Sequence, residues 1–192
     1  QLQDAVIACL LGNSFKPPSN DSKSAPNKTL NKESKTQVSK LIGKKDEMRG
    51  ITFFRHIDAP KNRDSNGLYV YFGKNDNGAY TPLRLVLQYY GSSWLFVEKA
   101  WSKIDGETIE LPQTRDRMGW DRDNGYGGIW EWSDFAITTE SEKAIIKKIA
   151  AAKTMTIRYE GKKYYDDKKI SKSQINAIKE TFEEYEKLTA KK

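Results

Sequence analysis

The stretch Gly67–Tyr90, GLYVYFGKNDNGAYTPLRLVLQYY, decides the fold. In its first part Leu68, Val70 and Phe72 fall on one side of an extended chain, with Tyr69 and Tyr71 on the other. In its last part Leu83, Leu85, Leu87 and Tyr89 alternate with Arg84, Val86, Gln88 and Tyr90. Period-two alternation marks strands with one buried face. Between them stands Asn75-Asp76-Asn77-Gly78, residues that tolerate the positive φ of a tight turn. The reading is an antiparallel hairpin.

Further strands extend outward from it. Ile51–Ile57 precedes the hairpin; Ser93–Ser102 and Gly106–Leu111 follow, joined through Asp105-Gly106. Ile129–Phe135 and Met155–Tyr159 complete the set, and Lys162–Tyr165 pairs back across Glu160-Gly161. Two helices carry start signals. Thr139 with Glu142, and Ser171 with Gln174, are capping boxes, in which each side chain satisfies a free N–H at the other residue. Ile170 and Ile175 form a staple over the second. Ala144, Ile145, Ile149 and Ala152 recur at helical spacing in the first; Ile175, Ile178, Phe182, Tyr185 and Leu188 do so in the second, as a core-facing seam requires. The expected fold is α+β: a meander-like antiparallel sheet of about six to eight strands with two helices packed on it, one of them C-terminal.

Upstream the composition changes. Gly12–Lys45 reads GNSFKPPSNDSKSAPNKTLNKESKTQVSKLIGKK, too poor in apolar residues to offset roughly 1–2 kcal/mol of backbone entropy per ordered residue. Residues 12–45 read as a disordered linker with a short helix near Val38–Ile42, and 46–192 as a single domain. The stretch holds eight lysines against Asp21 and Glu33, a net +6 of the chain's +7; with −1 from Asp4, residues 46–192 carry +2. On that division the basic charge belongs to a tether, and a nucleic-acid partner is not expected.

The chain begins with Gln1, as a fragment or processed product would. Val6-Ile7-Ala8-Cys9, followed by the polar stretch, has the pattern of a bacterial lipobox. On this reading residues 1–11 are the remnant of a signal, Cys9 carries lipid, and the linker holds the domain off the membrane. Asp4 and the lack of basic residues before it depart from the pattern. The competing reading makes Ala5–Leu11 a short buried element with Cys9 a core thiol. With one cysteine, no intrachain disulfide forms.

The runs LRLVLQYYGSSWLFVEKAWSKIDGETIELP (83–112), GGIWEWSDFAITTE (127–140) and MTIRYEGKKYYDDKKISKSQINAI (155–178) resemble a domain of unknown function found in bacterial secreted proteins and envelope lipoproteins. The likeness spans roughly Met48–Leu188. It implies a cell-envelope or secreted setting and brings no catalytic residue with it.

Candidate chemistry is sparse. His56, the one histidine, has Asp58 nearby but no nucleophile motif such as G-x-S-x-G, and reads as a surface or half-buried residue. Asp121-x-Asp123-Asn124-Gly125 has glycine where a calcium loop needs a ligand, and Glu131 is too near to close such a loop. The richest segment is Arg115–Trp132, RDRMGWDRDNGYGGIWEW, read as a mobile loop. Exposed aromatics beside Arg and carboxylates suit sugar faces or peptides. Trp120, Tyr126, Arg117 and Arg122 are the expected contact residues, and at least one of Trp130 and Trp132 is expected in the core. The expectation is a non-catalytic envelope binding module for a protein or glycan, without cofactor or metal, touching membrane only through a lipid at Cys9. The alternatives are a small hydrolase of envelope polymers using carboxylates of that segment, and an accessory structural domain.

Overall fold

The computed structural model describes residues 40–112 and 119–190, all within the unit Val38–Lys192. In chain order they form β1 (Leu41–Asp46), β2 (Ile51–His56), β3 (Gly67–Asn75), β4 (Leu83–Gly91), β5 (Val97–Ile104), β6 (Glu107–Glu110), β7 (Asp121–Gly125), β8 (Gly128–Ile137), α1 (Glu140–Ala150), β9 (Met155–Gly161), β10 (Tyr165–Lys169) and α2 (Lys172–Thr189). The α+β class and the C-terminal helix are as expected. The strands number ten rather than about six to eight, and they divide into two antiparallel sheets, β1-β2-β3-β4-β8-β7 and β10-β9-β5-β6.

The decisive hairpin is β3–β4. Leu68 pairs with Leu87 and Val70 with Leu85, and the turn closes by Gly78 N–H donating to the Asn75 carbonyl at 2.8 Å, with Gly78 at φ 86°. β8 continues the same alternation beside β4, Leu85 opposite Phe135 and Leu83 opposite Ile137. Leu68, Val70, Phe72, Leu83, Leu85 and Leu87 are consequently sealed on the inner face. The four-stranded sheet adds Val97, Ala100, Ile104, Met155, Ile157 and Tyr159 to the same core. Tyr159 links the sheets: its hydroxyl lies 2.9 Å from the Gly67 carbonyl and 2.8 Å from that of Gln88.

Both helices start at their expected capping boxes, Thr139 with Glu142 and Ser171 with Gln174. In α2, Ile175, Ile178 and Phe182 are buried, and Tyr185 packs on Phe72 at 5.3 Å between ring centroids. In α1 the buried stripe is Ile146 and Ile149, and Ala144 is exposed.

The strand expected at Lys162–Tyr165 is displaced: residues 162–164 form the turn, and β10, Tyr165–Lys169, pairs with β9. Two strands were not expected. β1 occupies the end of the stretch read as linker, so Leu41 and Ile42 are extended rather than helical. It pairs fully with β2, from Leu41 opposite His56 to Asp46 opposite Ile51. The domain therefore begins near Lys40 and takes Lys40, Lys44 and Lys45 with it. Residues 40–192 then carry 28 Lys+Arg against 23 Asp+Glu, a net +5, and residues 1–39 five lysines against Asp4, Asp21 and Glu33, a net +2. The folded unit is not near neutral; it holds most of the positive charge. The remaining expectations for residues 1–39, including Cys9, lie outside the described residues. Among the described residues, no helix is long and apolar enough to cross a membrane.

Candidate functional site

The segment expected to be a mobile loop is mostly a hairpin. β7 pairs with β8 from Asp121 opposite Trp132 to Gly125 opposite Gly128. β7 is the edge strand DRDNG, exposed throughout, and its carboxylates do not encircle a cation. Among the described residues, no group of three or more His, Cys, Asp or Glu could hold a metal. Tyr126 stands fully exposed at the turn. Trp120, expected to be a surface contact, is 4% exposed and packs edge-on against Tyr159, centroids 6.1 Å apart. It is a core residue. Trp130 and Trp132 correct the expectation in the opposite sense: both are half-buried on the outer face of the sheet. Arg117 lies outside the described residues.

The side chain turned inward between those tryptophans is Glu131, at 0% exposure. Its Oε1 accepts the N–H of Leu95 (2.9 Å) and Phe96 (2.8 Å), and its Oε2 accepts Val97 N–H (2.7 Å) and Arg122 Nε (2.9 Å). Arg122 also donates Nη2 to the Val97 carbonyl at 2.9 Å and Nη1 to that of Trp120 at 3.3 Å. Buried charges persist only when paired and hydrogen-bonded in this way. Arg122 is thus a structural partner of Glu131 as well as an expected contact. The pair holds residues 95–97 in place, with Phe96 at φ 54°, a conformation rare for a bulky residue. Trp94 and Phe96 face solvent from this segment, rings stacked at 5.8 Å.

His56 is not at the surface; it is 3% exposed. Its Nε2 lies 2.9 Å from Glu180 Oε2 on α2, and Lys40 Nζ lies 3.0 Å from Glu180 Oε1. The hydrogen bond from His56, and then that from Lys40, hold the Glu180 carboxyl below the usual carboxylate range. His56 Nδ1 accepts Asp58 N–H at 3.1 Å. Both ring nitrogens are occupied: Nε2 ties β2 to α2, and Nδ1 holds the chain that leaves β2.

The outer face of the six-stranded sheet is open to a ligand, where the alternation that buries leucines leaves aromatic and charged residues. Register lines up Arg55, Tyr71, Arg84 and Ala136 in one row, and Tyr69, Val86 and Asp134 in the next. Asp134 is held by Tyr71 Oη at 2.6 Å and Arg84 Nε at 2.7 Å. The 57–66 segment straps the β4–β8 side of this face. Gln88 Nε2 donates to the Asn62 and Ser65 carbonyls at 2.8 and 2.6 Å, and the Arg63 guanidinium lies 3.8 Å from the Trp132 ring centroid.

Over β1–β3 the face stays open as a groove of about 540 Å³. Phe53, Tyr69 and Tyr71 supply rings, Lys44, Arg55 and Lys61 supply cations, and among the described residues no carboxylate lines it. The volume lies in the usual range for ligand sites, about 300–1,000 Å³. Arg55 donates to the Pro60 carbonyl at 3.2 Å and lies 5.7 Å from the Tyr69 ring centroid, so the strap fixes its direction. Burial raises the Tyr69 phenol above its ordinary value, opposed by Arg55. Burial, then the hydrogen bond to Asp134, raises Tyr71. Both phenols are neutral donors at physiological pH. A second groove, of about 570 Å³, runs over the outer face of the four-stranded sheet. Three of its charged side chains are engaged within the lining: Arg158 pairs with Asp167 through two 2.7 Å contacts, and Glu160 accepts Trp101 Nε1 at 3.1 Å.

Of the expected contact residues, the three that are described, Trp120, Arg122 and Tyr126, do not line the first groove. Its signal was in the sequence, since Tyr69 and Tyr71 stood opposite the core-facing set. The neighbours that complete it, Ile42 and Lys44, sit on the strand hidden in the apparent linker. No protein-family model, no curated protein and no solved structure matches this chain.

Proposed function

We propose that this domain is a non-catalytic binding module of the bacterial cell envelope that takes an acidic glycan into the groove over β1–β3. One observation carries the ligand class: Lys44, Arg55 and Lys61 line a groove floored by Phe53, Tyr69 and Tyr71, with no carboxylate among its described lining residues. Flat rings suit the faces of sugars at low entropic cost, and the cations suit carboxylate or phosphate substituents. The net +5 of residues 40–192 favours the same sign of ligand. The envelope setting rests on Val6–Cys9 and on the resemblance carried by residues 83–178. The hydrolase reading finds less support. Glu131 is sealed and fully bonded, and Asp121 and Asp123 stand exposed on an edge strand outside both grooves.

Calorimetric titration of the full chain with an acidic polysaccharide, a neutral one, polyglutamate and a single-stranded oligonucleotide tests this. Binding confined to the acidic polysaccharide, weakened roughly fivefold by Arg55→Ala and again by Lys61→Ala, is expected if each cation supplies about 1 kcal/mol. Both variants leave the lysines of residues 1–39 in place, so loss of binding reports the groove. Equal binding of the neutral polymer, or no effect of either substitution, would refute the reading. Preference for the oligonucleotide or polyglutamate would replace the ligand class.

A further inference from the structure

A second surface, at the opposite end of the β4 strand from its Leu83 start, collects exposed aromatics that the groove does not use. The strand pairings bring three connections to this end. Gly91 at the end of β4 lies opposite Ile129, Gly125 opposite Gly128 closes the β7–β8 turn, and Val97 lies opposite Gly161 at the end of β9. Tyr90 Oη donates to the Gly127 carbonyl, Glu131 binds 95–97, and Gly161 abuts the Leu95 carbonyl so closely that a Cβ there would lie 1.9 Å from it. The connections are therefore bolted to one another. From them project Trp94 and Phe96 (56% exposed), Tyr126, and Tyr164 (72%). The three tips, 91–96, 126–127 and 161–164, contain Lys162 and Lys163 and no carboxylate.

Exposed large aromatics gathered from separate connections mark a contact surface. None of these side chains lines either groove; they project outward rather than around a hollow, which suits a broad partner rather than an enclosed ligand. Trp and Tyr are the side chains that settle at a bilayer interface, one end apolar and one wet, and lysines beside them answer an anionic leaflet. The positive φ of Phe96, held by a buried carboxylate, keeps that ring outside the core. We propose that this end of the domain docks on an anionic lipid bilayer, with Trp94 and Phe96 entering the interface and Lys162 and Lys163 at the headgroups.

The test uses the full chain with vesicles of phosphatidylcholine and phosphatidylglycerol, some carrying brominated acyl chains that quench tryptophan. Binding is expected, with part of the fluorescence quenched, and Trp94→Phe is expected to remove that quenching while the protein stays bound. The double variant Trp94→Ser/Phe96→Gly is expected to lower partitioning about tenfold or more, because buried apolar area sets interfacial affinity. Lys162→Glu is expected to lower it roughly fivefold or more. Residues 1–39 are unchanged in every variant, and Tyr126→Ser, at a position without packing to lose, is expected to weaken binding too. Absence of vesicle binding, unchanged partitioning in the double variant, or the same quenching in Trp94→Phe would overturn the proposal. So would a dimer in sedimentation that the same substitutions dissolve, since the surface would then face a second copy.

Discussion

Removing Glu131 tests the internal logic of the site most directly. In Glu131→Ala the N–H groups of Leu95, Phe96 and Val97 and the Arg122 guanidinium lose their common acceptor. They do not lose it equally. Arg122 is partly exposed and keeps the Val97 and Trp120 carbonyls, and Phe96 is the most exposed of the three donor residues. Leu95 and Val97 are buried, and each orphaned donor there costs about 1–3 kcal/mol. The sum, about 4 kcal/mol, agrees with the ~3–5 kcal/mol typical of breaking a buried charge pair from one side. Against a total stability of roughly 5–15 kcal/mol, that is a large fraction. Glu131→Gln keeps one oxygen but turns an amide N–H₂ towards donors, for an expected cost of about 2 kcal/mol.

Urea unfolding of each variant gives the free energies, and native-state hydrogen exchange locates the effect. The amides of Leu95 and Val97 are expected to lose protection in Glu131→Ala while those of α2 keep theirs relative to the lowered global stability. A compensating pair, Glu131→Leu with Arg122→Met, is expected not to restore stability. Apolar replacement satisfies the two side chains but leaves the backbone donors unmet. A cost below about 1 kcal/mol for Glu131→Ala, or full recovery in the double variant, would mean that the 95–97 segment is held by packing alone.

Two further outcomes follow from the same geometry. Glu180 has its carboxyl pKa lowered in the fold, so its contribution is complete above the ordinary carboxyl value and fades as pH falls through the folded value. Glu180→Gln is expected to cost about 1 kcal/mol at pH 7, discounted for partial exposure, and the gap from wild type should close towards pH 3; a gap that stays constant in urea melts across that range would refute it. Gly161→Ala places a Cβ 1.9 Å from the Leu95 carbonyl oxygen, so backbone must shift at about 1–3 kcal/mol or more. Gly78→Ala, with open space at its Cβ and φ 86°, is expected to cost only about 1–2 kcal/mol of left-handed strain. Equal urea midpoints with a fully protected Leu95 amide in Gly161→Ala would argue against the close approach.

What was legible in the sequence was local. A capping box is closed by residues three apart, and the β3–β4 hairpin by alternation around one turn, so Thr139, Ser171 and Asn75–Gly78 declared themselves. β1 and β7 did not. LIGKKD and DRDNG are strands because β2 and β8 offer them partners, and neither propensity nor composition records a partner's edge. His56 is buried because Glu180, 124 residues away, meets it. β8 is the most instructive case. Read as Ile129–Phe135 it offers two phases. One buries Trp130 and Trp132; the other buries Ile129 and Phe135 at the expense of Glu131. Bulk favours the tryptophans. The strand runs on to Ile137, however, and Ile137 joins the second phase opposite Leu83. A one-residue slip would expose Ile129, Phe135 and Ile137 together. Glu131 is therefore carried inside by its neighbours, and it is tolerated because the chain entering β5 brings it the N–H groups of Leu95, Phe96 and Val97 and β7 brings it Arg122. The same event leaves Trp94 and Phe96 facing out. The buried carboxylate and the exposed aromatics are two consequences of one register, which is why neither was visible in the Arg115–Trp132 segment alone.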